Sequence, residues 1–395
     1  MTGTRPLSSL CEFIVDCEHK TAPLAEAGYP SIRTPNVGRG RLILAGVNRV
    51  SEETYRAWTK RAVPEAGDLI IAREAPVGNV AIIPPGVRVC LGQRTVLVRP
   101  DKKQVDPLYL CYFLLGDYAQ HKFRGASVGA TVAHLNMKDI RGLPMPTLPP
   151  LPAQRCIASV LGAYDDLIEV NRRRIAVLEE MARGLFEEWF VRFRFPGHEA
   201  VPILDTQDGP LPEGWNWTPL AKLAKFKSGN NKLTKAAYKE KGVTAYSASG
   251  PDGFVEKAEG YGPAVIVGAV GAYCGKSWLA DGEWTAIANT FALLPNHGVP
   301  AEFLFLAMCG IEKWPRRGAA QPFIAKTDAG AKKLPHPPQE IWSSFAQHVE
   351  PIFGLINALG ASNRNLTASR DLLLPRLISG QLSIAEAERE LEVAA

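Results

Sequence analysis

No stretch of this 395-residue chain approaches the roughly 18 uninterrupted apolar residues that a membrane-crossing helix needs. The amino terminus lacks the basic-then-apolar pattern of a secretory signal. Cysteine is sparse: Cys11, Cys17, Cys90, Cys111, Cys156, Cys274 and Cys309 are scattered, odd in number and never spaced C-x-x-C, which argues against a zinc cluster or a disulfide framework. A reducing cytoplasm suits such a set. The sequence devices of common catalysts are missing too. No G-x-G-x-x-G opens a helix after a strand, no G-x-S-x-G elbow occurs, and no Asp/Asn-Pro-Pro-aromatic run of the amino-methylating kind is present. The seven histidines lack metal-ligand spacing, and Glu18-His19-Lys20 resembles the tail of a metal-dependent nuclease motif without its preceding Pro-Asp pair. The run Val270-Gly271-Ala272-Tyr273-Cys274-Gly275-Lys276-Ser277 comes near a phosphate loop. Valine, however, stands where the first glycine must let backbone amides wrap a phosphate. That run is expected to be a Gly-rich hairpin between residues 265–267 and 278–280. A chain of this size without catalytic machinery points to a reader or a scaffold.

What the chain does have is internal repetition. Ile157, Leu161, Tyr164, Ile168, Asn171, Ile175, Leu178, Ala182, Leu185 and Trp189 step by four and three residues. So do Phe345, Val349, Ile352, Ile356, Leu359, Asn363, Leu366, Arg370, Leu373 and Leu377, each 188 residues later. This spacing puts one stripe on one face of a helix, the seam of a coiled coil. The repeat extends upstream. Leu69-Ile70-Ile71 resembles Val265-Ile266-Val267, and Val96-Leu97-Val98 resembles Ala292-Leu293-Leu294, both at an offset of 196; Leu143-Pro144 resembles Leu334-Pro335 at 191. Asn171, Asn363 and Arg370 interrupt the seam with polar groups. Arg370 either sits on the seam or faces outward where Pro375 should break or kink the helix.

Around the seams, short β-branched runs bounded by Gly or Pro predict strands at residues 41–45, 68–72, 80–83 and 95–98. Residues 107–115 read as a helix capped by Asp106 with Pro107 in its first turn. Residues 144–152 read as an extended connector, 198–214 as a linker, 334–338 as a second connector, and 385–395 as a charged tail with no core face. The first long helix, 33 residues between its outer seam positions, would span roughly 50 Å. Residues 1–143 carry 19 Lys and Arg against 13 Asp and Glu, and residues 201–338 carry 15 against 12. The segments between and after them are slightly acidic, at 7 against 8 and 4 against 7. The positive excess therefore lies in the two blocks, which favours a polyanion there and a protein partner on the helices.

These residues resemble a known family, the specificity subunit of type I restriction–modification systems. Pro149-Pro150-Leu151-Pro152-Ala153-Gln154-Arg155-Cys156-Ile157-Ala158 is similar to the family's Pro-Pro…Glu-Gln-x-x-Ile-Ala start of the central helix, with Ala153 in place of the usual Glu. Residues 171–175 and 185–190 are similar to the rest of that central conserved region. Leu372-Leu373-Leu374-Pro375-Arg376-Leu377-Ile378-Ser379-Gly380 resembles the family's distal ending. Residues 68–80 and 125–135 look like segments of its target-recognition domains.

The resemblance implies an α/β (α+β) fold of two similar target-recognition domains separated by two long antiparallel coiled-coil helices. The expected divisions are residues 1–150, first domain; 151–195, central helix; 196–338, second domain; 339–380, distal helix; and 381–395, the tail. It implies a non-catalytic, cytoplasmic protein that reads one half of a bipartite double-stranded DNA site with each domain. The helices set the gap and dock two methyltransferase (modification) subunits, and restriction/translocase subunits complete the assembly. No cofactor is expected in this chain; S-adenosylmethionine, ATP and Mg belong to the partners. Arg73, Arg94, Arg124 and His134 in the first block, and Lys276, Arg317, Gln321 and Lys326 in the second, lie in or beside Gly-rich loops and are candidate DNA contacts. Arg and Gln suit guanine and adenine edges, whereas Lys more often meets phosphate. Arg172, Arg173, Glu179 and Glu187, on outward helix faces, are candidate partner contacts. The alternatives are a tandem-repeat scaffold that binds only protein, or part of a fused restriction–methylation enzyme.

Overall fold

The structure, a computed structural model, describes residues 4–127, 133–383, 385–387, 389 and 391. Residues 1–170 with 362–395 form one compact unit, and residues 171–361 form the other. This grouping cuts through both long helices, Leu151–Phe186 and Gln339–Ile378, instead of falling at their ends.

In the first unit a five-stranded sheet runs in the order Cys11–Asp16, Thr95–Pro100, Leu69–Ala72, Val80–Ile82, Gly40–Arg41. Side chains alternate across it, as strand geometry requires. Leu69 and Ile71 join Tyr109, Leu110 and Phe113 of the helix Pro107–Leu115, while Ile70 and Ala72 join Ile32, Ile83 and Leu97 on the opposite face. Asp106 caps that helix as expected, its Oδ1 accepting from the backbone amides of Leu108 and Tyr109 at 3.0 Å each. The helix-side core continues through Ile157, Leu161, Tyr164 and Ile168 to Leu366, Leu373 and Leu377.

The second unit repeats this plan. Its sheet runs Ala224–Ser228, Thr290–Pro295, Ala264–Gly268, Ser277–Ala280. Val265 and Val267 face Phe303, Phe345 and Val349, while Ala264 and Ile266 face Tyr246 and Trp284. The near phosphate loop is the expected hairpin between Ala264–Gly268 and Ser277–Ala280. Each block is closed by its connector: Pro144–Met145 pairs with Arg5–Pro6, and Lys333–His336 pairs with Asn216–Pro219.

All twenty seam positions are buried or half-buried, while Arg172, Arg173, Arg174, Val177, Glu179, Glu180 and Met181 between them are exposed. Arg370 belongs to the seam. Its guanidinium pairs with the buried Asp165, and with Asp371 at 2.7 Å. Pro375 does not break the helix, which runs to Ile378 with the Pro375 carbonyl still accepting from the Ser379 amide at 3.0 Å.

Other expectations need correction. Of residues 41–45 only Arg41 lies in a strand, because the chain turns back on itself through a Val37–Leu42 bridge. Residues 198–214 hold a hairpin, Ile203–Thr206 with Gly209–Pro212, not a bare linker. The first long helix begins at Leu151, inside the expected connector; a proline at its second residue costs nothing because first-turn amides lack helical partners anyway. The tail has a core face: Leu382 and Ala387 are buried with the first unit, and Ser383 and Glu386 form a reciprocal capping pair at 3.0 and 3.4 Å. Among the described residues no helix is long and apolar enough to cross a membrane.

Candidate nucleic-acid interface

In both units the same four chain segments converge at one end of the sheet, held by one pattern of backbone hydrogen bonds. The Gly92 amide donates to the Ile32 carbonyl at 2.8 Å, and Ile287 to Tyr246 at 2.9 Å. Arg73 donates to Arg94 at 2.9 Å, and Ala269 to Asn289 at 2.8 Å. Leu135 donates to Arg73, and Ile324 to Ala269, at 3.0 Å each. The hydroxyls of Thr95 and Thr290 each close a turn onto the carbonyl three residues earlier, at 2.7 and 2.6 Å. Gly78 and Gly275, both at positive φ, turn the neighbouring hairpins.

On this common backbone the first unit carries a charged network. Arg73, 7% exposed, donates to Asp16 Oδ2 at 2.7 Å, to the Leu135 carbonyl at 2.8 Å and to His134 Nε2 at 2.7 Å. Since a guanidinium only donates, Nε2 accepts, and Nδ1 carries the proton that it shares with Glu74 at 2.8 Å. The other Glu74 oxygen holds Arg94 at 2.8 Å. Arg73 and His134 therefore build the platform, and Arg94 is the group that it presents, its side chain 61% exposed. Arg124 stands apart, exposed in the last turn of Asp117–Ala126. The Gly-rich loop after it falls partly on residues 128–132, outside the described residues.

Asp16, Cys17 and His19 bring three potential metal-ligand atoms within 4.8 Å of one another. Asp16 is already bound by Arg73, and burial, with smaller contributions from Asp16, pushes the Cys17 thiol up. The group is better described as the rim of the arginine network than as a cation site.

The second unit brings Lys276, Arg317 and Gln321 to two paired loops, with Lys326 beside them at the start of the helix Lys326–Ala331. A Val270–Phe323 bridge and the Gly271 amide, donating to Pro322 at 2.8 Å, tie the 269–277 hairpin to the 316–324 hairpin. Lys276 stands 5.0 Å from the Tyr273 ring centre, Gln321 is exposed at the tip, and Lys326 bonds Ser228. Arg317 is held by Asp328 at 2.6 Å but stays 60% exposed. Exposed aromatics beside cations (Tyr273 and Phe323 here) suit a surface that meets both phosphates and bases.

Of the candidate partner contacts, Arg172, Arg173, Glu179 and Glu187 all lie on exposed helix positions, with Glu179 pairing Arg183 at 3.4 Å and Glu187 pairing Arg192 at 3.6 Å. Sequence reasoning missed Asp16, Glu74 and Asn289. The signal for Asn289 was the repeat itself, misread by one residue. Strand pairing sets Ile71 opposite Val96 and Val267 opposite Phe291, so the offset in this strand is 195, not 196. A one-residue slip places every side chain on the wrong face.

Residues 4–180 match a family model described as "Type I restriction modification DNA specificity domain". The chain is 25% identical over 372 residues to the type I restriction enzyme MjaIX specificity subunit of Methanocaldococcus jannaschii, covering 87% of this chain and 84% of that one. It is 24% identical over 204 residues to the MjaVIII specificity subunit of the same organism, covering 52% of this chain and 44% of that one. The crystal structure of a type I restriction–modification S subunit from M. genitalium is similar in fold, with a TM-score of 0.59 at 16% identity over 95% of this chain and 96% of that one. The family-model match over residues 4–180, the relative along most of the length and the shared fold agree with the duplicated plan, and the chain is similar along most of its length to the specificity subunits of type I restriction–modification systems.

Proposed function

We propose that this chain is the non-catalytic DNA-specificity subunit of a type I restriction–modification complex. Each unit reads one half of a split double-stranded site through the loops at the end of its sheet. The observation that carries this reading is the duplicated backbone lattice dressed with different side chains: charged in the first unit, aromatic, amide and cationic in the second. One frame with two surfaces is what reading two different half-sites calls for, since phosphate contacts position and side chains on base edges specify. Two modification subunits dock on the exposed helix faces around Arg172, Arg173, Glu179 and Glu187, where Val177 and Met181 add apolar area. S-adenosylmethionine, ATP and Mg act in the partner subunits, consistent with the missing methyl-donor and phosphate-loop sequences here.

The test is methylome sequencing of cells that express the chain with its modification subunit. A split motif with a fixed gap is expected, and exchanging residues 1–143 for those of a relative should change one half only. A change in both halves, or no motif, would refute the reading. Failure of the complex to shift any duplex at low salt would favour a scaffold that binds only protein.

A single-residue prediction follows for Arg124. Arg124→Ala is expected to weaken binding to the target site about 5-fold or more beyond its effect on random duplex, as loss of a base-edge contact does. Equal losses on both duplexes in a titration would remove Arg124 from the reading surface.

A further inference from the structure

Among the described residues only three non-glycine side chains sit at positive φ: Arg94 at 66°, Phe193 at 58° and Asn289 at 64°. Two of the three occupy the same place in the repeat. Each is the last residue of the turn that leads from a strand of another sheet, Cys90–Leu91 or Glu283–Ala286, into the strand Thr95–Pro100 or Thr290–Pro295. Each offers its carbonyl to the equivalent amide, of Arg73 or Ala269, and each is exposed beside a buried threonine. A long L-residue such as arginine seldom adopts this conformation, and where one is held there the surrounding structure over-determines it, commonly for function. In both units the lattice thus forces one outward-pointing side chain at one fixed point.

The two side chains differ in chemistry and in support. One end of the Arg94 guanidinium is fixed by Glu74 at 2.8 Å, which leaves the rest of its donor fork oriented and exposed. The Asn289 side chain is short and has no hydrogen-bond partner among the described residues, so its amide donor and acceptor are both on offer. An oriented guanidinium matches the two acceptors of a guanine edge, and a carboxamide matches the donor and acceptor of an adenine edge.

We propose that Arg94 and Asn289 are the corresponding base-reading residues of the two units, Arg94 for a guanine in one half-site and Asn289 for an adenine in the other. This rests on the reading of the chain as a DNA-specificity subunit and deepens it by naming one specificity-determining residue per half.

The experiment selects duplexes from a random pool with the full-length chain in complex with its modification subunits. The variants are Arg94→Asn and Asn289→Asp, both tolerant of positive φ. Arg94→Gly and Asn289→Gly serve as second variants that remove each side chain without backbone penalty. Arg94→Asn and Arg94→Gly should each lose a guanine preference of about 10-fold or more at one position of one half-site, with the other half intact. Asn289→Asp and Asn289→Gly should lose an adenine preference of similar size, in the other half only. Variants that melt like the parent yet keep every base preference, or that alter the same half-site, would overturn the pairing while the split wild-type motif upholds the broader reading. A wild-type complex that selects no split motif would overturn both.

Discussion

Replacing Asp165 with alanine is expected to lower the stability of the first unit by about 3–5 kcal/mol, the usual effect of removing one partner of a buried ion pair. Asp165 is 5% exposed, accepts the Tyr112 hydroxyl at 2.6 Å through Oδ2 and pairs with Arg370 through Oδ1. Without it, the Arg370 guanidinium keeps, among the described residues, only the half-exposed Asp371, and the Tyr112 hydroxyl loses its acceptor. Burial, reinforced by the Asp165 charge, pushes the Tyr112 phenol far up, so it is a donor at every working pH. For a unit of this size the cost corresponds to a fall in melting temperature of roughly 10 °C. Asp165→Leu combined with Arg370→Met should recover most of the loss, since an apolar pair of similar volume often replaces a buried ion pair without penalty. Thermal melting of the two singles and the double measures the coupling. A single-variant loss below about 1 kcal/mol would show that the pair is solvated, as exposed pairs are.

Phe190→Ala is expected to cost the second unit about 3–5 kcal/mol. Phe190 is 2% exposed and meets Phe303 and Phe345 edge-on at 4.7 and 4.8 Å, with Phe186 and Trp215 also in ring contact. Aromatic pairs of this geometry add about 0.5–1.5 kcal/mol beyond area burial. Urea unfolding read by tryptophan fluorescence should show the midpoint fall. Phe190→Leu, which keeps most of the volume, should lose less than half as much; equal losses would mean that ring geometry, not the filled volume, dominates.

The two predictions mark where the sequence was legible and where it was not. The seam was plain because a three–four apolar step has one structural meaning over nine turns, and its ten positions in each helix are all at least half-buried. Phe190 escaped that reading. The helix widens into a π turn at Glu187–Val191, which brings the adjacent Trp189 and Phe190 both into the core, where an α-helix turns consecutive residues about 100° apart. The partner of Arg370 was equally hidden, because no local pattern links residues 165 and 370. Of the candidate reading residues, Arg94 was chosen for its Gly-rich surroundings, which also selected Arg73. Only coordinates separate the presented arginine from the buried one that props up its neighbour His134. The capping pair Ser383–Glu386 follows a sequence rule, but the charge of the surrounding tail masks it.

The division of the chain has a consequence for its synthesis. Residues 171–361 are continuous, so the second unit is able to close as soon as they have left the ribosome. The first unit is not. Leu366, Leu373, Leu374, Leu377, Leu382 and Ala387 belong to its core and are translated after the whole of the second unit. The apolar face around Tyr109 and Leu161, made first, thus lacks these partners until residues 366–387 have been made.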